Sequence, residues 1–248
     1  MIGFAAQLLV VANALAPAAH PPSTYPFAVG ERAVYDVSYF GIHAGTGTME
    51  VAGIDTVRGG IAYRLVLTIT GGVPLVYRIH DTLRSWIDTA VLRSVRYYQD
   101  QDEGGRNRVK RYEIFPDRRV YSEPGKPEQP SVEGPLDDVS FLYFARTLAL
   151  TVGDTLSYAR YFKPESNPVQ LIVLRTERVR VPAGEFSTIV VQPIIKTSGI
   201  FSQGGHAEVY LSDDSVKRVV QLKTKVAFAQ LTLQLKSFQP AGRPPGNR

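Results

Sequence analysis

Cysteine is missing from this sequence altogether. Neither a disulfide framework nor a thiolate metal site is open to it, and a domain of this size must then be stable by its core. Histidine is scarce, at four residues, and none of His20, His43, His80 and His206 has a second histidine at i+2 or i+4. His206 and Glu208 would share one strand face, but two ligands do not make a zinc site. No G-x-S-x-G occurs, and the glycines around Gly41, Gly45 and Gly47 and around Gly199, Gly204 and Gly205 match no phosphate-loop pattern. Those glycines are expected at turns, bulges and close sheet approaches. The carboxylate pairs Asp137/Asp138 and Asp213/Asp214 are adjacent residues, whereas an acid–base pair must flank a substrate from separate elements. A catalytic constellation is therefore not expected, nor is a metal or cofactor. Without an internal repeat of 20–50 residues, a propeller or solenoid is disfavoured as well.

What the sequence does have is a core's worth of apolar residues, 44% hydrophobic with 10% aromatic. Along 248 residues this suits one large β domain. Its first nineteen residues, Met1 to Ala19, carry no charged side chain, and the run from Phe4 to Leu15 is too short to span a bilayer. Ala16-Pro17-Ala18 followed by Ala19 fits a small-x-small cleavage site, so residues 1–19 read as a signal peptide, although no Lys or Arg precedes the apolar run. The alternative is a buried N-terminal strand. Export would place the chain in the periplasm or at the outer membrane. A proline-rich spacer follows over 20–26, a single β-rich domain is expected over 27–238, and residues 239–248, rich in Pro and Gly, form a flexible tail.

Within the domain the apolar residues alternate. Ile61, Tyr63, Leu65, Leu67 and Ile69 share one face opposite Arg64, Thr68 and Thr70, the period of a half-buried strand. Gly59-Gly60 joins it as a hairpin to the strand around Gly47, Met49 and Val51. Further strands are expected at Leu75–Ile87, Val91–Gln99, Arg106–Phe115, Arg119–Ser122, Thr155–Phe162, Val169–Val181, Ser187–Thr197, His206–Leu211, Val216–Val226 and Phe228–Phe238. Turns fall at Pro182-Ala183-Gly184 and Ser212-Asp213-Asp214.

One stretch breaks the pattern. Leu136–Leu150 places Phe141, Phe144, Ala145 and Leu148 at helical spacing, and Leu142 and Ala149 widen that face until most of the circumference is apolar. Asp137 or Asp138 can cap its start and Gly153 its end, as structural residues. A lone apolar helix among antiparallel strands predicts a mainly β fold: a large curved sheet or open β-barrel wrapped around one short central helix, about 137–150.

The formal charge is +5, and Arg106, Arg108, Lys110, Arg111, Arg118 and Arg119 lie within fourteen positions. Such a patch is either the solvated face of an arginine-rich strand pair or a contact for anionic groups. Tyr97 and Tyr98 beside it could stack bases, but an exported protein rarely meets nucleic acid, and none is expected as a partner.

Four segments, FAVGERAVYDVSYFGIHAGTGTMEV, DDVSFLYFARTL, VRVPAGEFSTIVVQP and GIFSQGGHAEVYLSDDSVKRVVQLK, together resemble a bacterial family of exported proteins, domain of unknown function 3108. The resemblance covers about residues 27–238. It implies a β-rich envelope fold similar to the open barrels that carry lipoproteins between membranes, and it supplies no activity. Two functions remain open. In the first, Tyr63, Leu65, Leu67, Phe141, Phe144 and Leu148 line a half-barrel that takes an acyl chain or other apolar ligand, with Arg106, Arg108, Lys110 and Arg111 at the rim holding an anionic head group. In the second, the interior is fully packed and the chain is an envelope interaction or assembly module for a protein partner.

Overall fold

The computed structural model describes residues 25–73, 77–196, 207–226 and 229–242. The expected signal peptide, most of the spacer, the end of the tail and His206 lie outside the described residues. Among the described residues fourteen strands form one antiparallel sheet: β1 Arg32–Tyr39, β2 Ile42–Val57, β3 Gly60–Val73, β4 Tyr77–Asp88, β5 Ser94–Glu103, β6 Arg106–Phe115, β7 Val120–Ser122, β8 Gln129–Pro130, β9 Thr155–Tyr158, β10 Val169–Val181, β11 Gly184–Ile194, β12 Glu208–Ser212, β13 Val219–Val226 and β14 Ala229–Gln239. Their spatial order is β8-β7-β6-β5-β4-β3-β2-β1-β14-β13-β12-β11-β10-β9. Sequence neighbours pair except at β8 and β9, the two edges, and the first and last strands, β1 and β14, pair with each other. The sheet is open and mainly β, and among the described residues it wraps around one α-helix, α1 Asp138–Ala145.

Alternation dictates which face turns inward. Met49 and Val51, Leu65, Leu67 and Ile69, Leu83 and Ile87, and Leu231, Leu233 and Leu235 are all buried, in phase with the strand period. They join the helix in one hydrophobic cluster. Curvature has a local cause. Gly45 and Gly71 face each other across β2 and β3. A Cβ on Gly45 would lie 2.1 Å from the Thr70 carbonyl oxygen, and one on Gly71 would lie 1.9 Å from that of Ala44. Only glycine permits so close an approach. Bulges at Val34/Tyr35, Val51/Gly53 and Trp86/Ile87 bend the strands further.

The two edges meet without closing the ladder. Leu136, beyond β8, forms a parallel bridge with Tyr161, beyond β9. The Leu136 N–H donates to the Arg160 carbonyl at 2.6 Å and the Phe162 N–H to that of Leu136 at 2.9 Å. Arg160 ties the seam to β5's approach, donating to the carbonyls of Gly134 and Leu92 at 2.7 Å each.

The helix is shorter than the expected 137–150. Its eight residues are all buried, and Arg146 is its C-cap. The next amides, Thr147 and Leu148, reach back only three residues, to Phe144 and Ala145, and the Thr147 hydroxyl also donates to Phe144 O at 2.7 Å. This tightening ends the α-turn. Gly153 therefore does not cap the helix; it sits in the turn before β9, where its N–H donates to Val173 O. Ala149, expected to widen the apolar face, is exposed.

Candidate functional site

The helix start is a buried polar cluster. Asp137 caps it, accepting from the Val139 and Ser140 N–H groups at 3.0 Å each, while the Ser140 hydroxyl accepts from the Asp137 N–H at 2.7 Å. The second Asp137 oxygen accepts from Ser85 of β4 at 2.6 Å and Ser94 of β5 at 2.7 Å. Asp138 points the other way and accepts from the hydroxyls of Tyr97 at 2.8 Å and Tyr161 at 3.2 Å. Both carboxylates are held by the sheet and the seam, so each aspartate fixes the helix to a different part of the barrel.

Burial raises the Asp137 carboxyl to about 6, against the bonds from Ser140, Ser85 and Ser94, which favour the ion; neighbouring Asp138 adds to the rise. Because the folded value lies above the ordinary 3.8, the native state holds this proton more tightly than the unfolded chain. The stability it contributes is complete below about 4 and lost as pH rises through about 6. Asp137→Asn keeps a cap oxygen, and the two serine hydroxyls can turn to accept from the new amide. Urea midpoints of wild type and variant at pH 4, 5, 6 and 7 should show the wild type losing ground by on the order of 2–3 kcal/mol across that window. A difference constant with pH contradicts the assignment.

The side chains expected to line a half-barrel cavity are together in space, and their surfaces are spent on packing. Tyr63, Leu65, Leu67, Phe141 and Phe144 are all buried. Leu148 lies beyond the helix and is only partly buried, packed against the cluster. Between Leu142 of the helix and Leu67, Ile69, Leu222, Leu231 and Leu233 of the sheet there is an apolar cavity of about 20 Å³. That is room for roughly one water molecule.

The basic residues are divided. Strand alternation runs without a register shift along β6, opposite β5. Arg106, Arg108 and Lys110 are in phase with the buried Tyr112 and Ile114 and so belong to the inner face. Arg111 belongs to the outer face, where its guanidinium lies over the Tyr98 ring at 5.6 Å, with Arg84 over the same ring at 5.4 Å. The expectation of one four-residue rim is thus corrected for Arg111, because a period of two sends neighbours 110 and 111 to opposite sides.

Lys163 joins the inner-face cations, a residue that sequence reasoning did not single out. Its Nζ donates to the Tyr112 hydroxyl at 3.1 Å and lies 4.6 Å from that ring's centre. Burial lowers its pKa, and the like charge of Lys110 lowers it further. Across β5, Gln99 stands opposite Lys110 and Gln101 opposite Arg108. Among the described side chains no carboxylate forms an ion pair with Arg108, Lys110 or Lys163. Seam residues after β9, rather than any motif, bring Lys163 here. The phase of β6 against Tyr112 and Ile114 was the available signal for the other three.

The profile of the family described as protein of unknown function (DUF3108) matches residues 34–236. The chain belongs to this family. No curated protein matches the DUF3108 chain. Among solved structures, it is similar to a β-barrel-like protein of the DUF1849 domain from Brucella abortus, at 9% identity and a TM-score of 0.56, over 86% of this chain and 98% of that one. A candidate lipoprotein from Parabacteroides distasonis matches at 12% identity, over 88% of this chain and 100% of that one, with a TM-score of 0.36. A candidate exported protein with a YmcC-like fold from Bacteroides fragilis matches at 14%, over 87% and 98%, with a TM-score of 0.30. The Brucella likeness is one of fold: a barrel-like sheet of comparable extent.

Proposed function

We propose that this DUF3108 chain is a non-enzymatic cell-envelope protein, exported by residues 1–19, that acts through its surface as an interaction module. The observation that carries this reading is the interior. Among the described residues, the cavity between Leu142 and the sheet measures about 20 Å³, whereas pockets that engulf a ligand run to about 300–1,000 Å³. The helix is core, and the parts free to meet a partner are outside it. An apolar or lipid-like ligand in the half-barrel is the second reading, favoured by the apolar lining of that same cavity. Each buried CH₂ would contribute about 0.8 kcal/mol, but the helix would first have to leave the sheet.

Native mass spectrometry of protein purified gently from its own envelope separates the two. The expected spectrum is a chain beginning near Ala19 or His20 with no acyl species attached. Bound acyl chains that disappear in Leu67→Trp, which fills the cavity, would overturn the packed-core reading. An intact Met1 in a soluble cytoplasmic fraction would sink export.

A further inference from the structure

The β1–β2 and β5–β6 hairpins turn at the same end of the sheet, since register runs from Gly45 through Gly71 and Ile79 to Glu103 and Arg106. The helix lies toward the other end, where Arg146 meets the segment before β1 and the β12–β13 loop. Past the helix, the inner face of β6 therefore changes character. Tyr112 and Ile114 are buried, Lys110 is half-buried, and Arg108 and Arg106 are exposed. Lys163 approaches this strip from the seam and meets Tyr112. On β5 the amides of Gln99 and Gln101 stand opposite Lys110 and Arg108, and Glu103 stands opposite Arg106.

The nearby acids are largely engaged. Asp138 is held by two tyrosines, and Asp81 accepts from Gln101 at 3.4 Å. Glu123, Glu165 and Asp138 act on Lys163 only from a distance, without an ion pair, and Asp138 acts on Lys110 in the same way. Gln99 already donates to the Tyr97 hydroxyl at 2.9 Å and to Asp138 at 3.5 Å, and Gln101 to Asp81, so the donors left to the strip are those of its cations.

We propose that Arg108, Lys110 and Lys163 form a binding site for a phosphate group on the inner face of the barrel. Charge-assisted bonds from both kinds of cation suit a phosphate's oxygens. A lipid head group and a free phosphate share this chemistry. At the same end of the sheet, Phe40 and Ile42 at the β1–β2 tip are 66% and 68% exposed, and apolar side chains so placed would enter the interface of a lipid surface. The site goes beyond the surface-acting reading and does not depend on a packed interior. Acyl chains inside the barrel would overturn that reading and leave this site standing.

The test uses the mature protein with two probes: vesicles of phosphatidylglycerol against vesicles of phosphatidylcholine, and inorganic phosphate followed by NMR. Wild type is expected to bind at least one phosphate probe and to ignore phosphatidylcholine. The double variant Arg108→Gln/Lys110→Gln should weaken that binding roughly thirtyfold, from two cations lost. Arg111→Gln, the same change on the outer face, should leave it nearly unchanged. If the double variant fails to fold, Arg108→Gln alone, at an exposed position, carries the comparison. Binding to phosphatidylglycerol that Phe40→Ser/Ile42→Ser weakens, with inorganic phosphate unaffected, assigns the ligand to a lipid. Binding of inorganic phosphate without vesicle binding assigns it to a soluble phosphate. Binding of neither probe, or an Arg111→Gln loss equal to that of the double variant, overturns the proposal.

Discussion

Arg146→Met is expected to destabilise the protein by about 3–5 kcal/mol, the effect of stranding a buried partner charge. The Arg146 and Glu31 side chains are 2% and 7% exposed. The guanidinium grips Glu31 with its two terminal nitrogens, at 2.6 Å and 2.9 Å. It also donates to Pro26 O at 3.0 Å and to Val216 O at 3.2 Å, and lies over the rings of Phe27 and Tyr143. Three segments remote in sequence, the approach to β1, the helix end and the β12–β13 loop, are joined at one side chain. Burial works to lower the Arg146 pKa, but the bonds and charge of Glu31 outweigh it and the net direction is up. Methionine removes that charge and leaves Glu31 buried alone. The double variant Arg146→Met/Glu31→Gln should recover much of the loss, since a matched neutral pair strands nothing. Urea denaturation of the two singles and the double gives the coupling directly. A double variant as unstable as the sum of the singles would mean that the pair is not energetically joined.

Much of this architecture was readable from the sequence because period-2 alternation survives wherever one sheet face is buried. The hairpin of β2 and β3 around Gly59 and the turns at Pro182-Ala183 and Asp213-Asp214 follow from local chemistry alone, and the structure has them. Element ends were less legible. Helix spacing continues to Leu148, but the chain tightens to three-residue bonds at Thr147 and Leu148, next to Arg146 and its contact with Glu31 across 115 residues, which periodicity does not reveal. Thr155–Phe162 was expected as one strand; β9 stops at Tyr158 because the next residues bond to Leu136 in the seam. The candidate site was half visible. Arg106, Arg108 and Lys110 announced themselves as a cluster, while Lys163 arrives only through the closure of the two sheet edges. Even the aspartates, rightly expected as a cap, concealed the fact that Asp138 turns away from the helix to two tyrosines.

Phe141→Ala is the second large effect, about 3–5 kcal/mol. Phe141 is 2% exposed on a helix whose every residue is buried, with the Phe144 ring 6.3 Å away. The strands around it are held by their own ladders and by the seam, so they can collapse only partly into the space a phenyl ring leaves. Truncation on a surface helix would instead change stability by well under about 1 kcal/mol. Chemical denaturation of Phe141→Ala beside wild type is therefore the most direct test of the claim that this open sheet folds around the helix as its core. A midpoint lowered in proportion to a loss of about 3–5 kcal/mol, with an unchanged slope, is the predicted result. A midpoint close to wild type would contradict it and would mean that the helix rests on the sheet without supporting it.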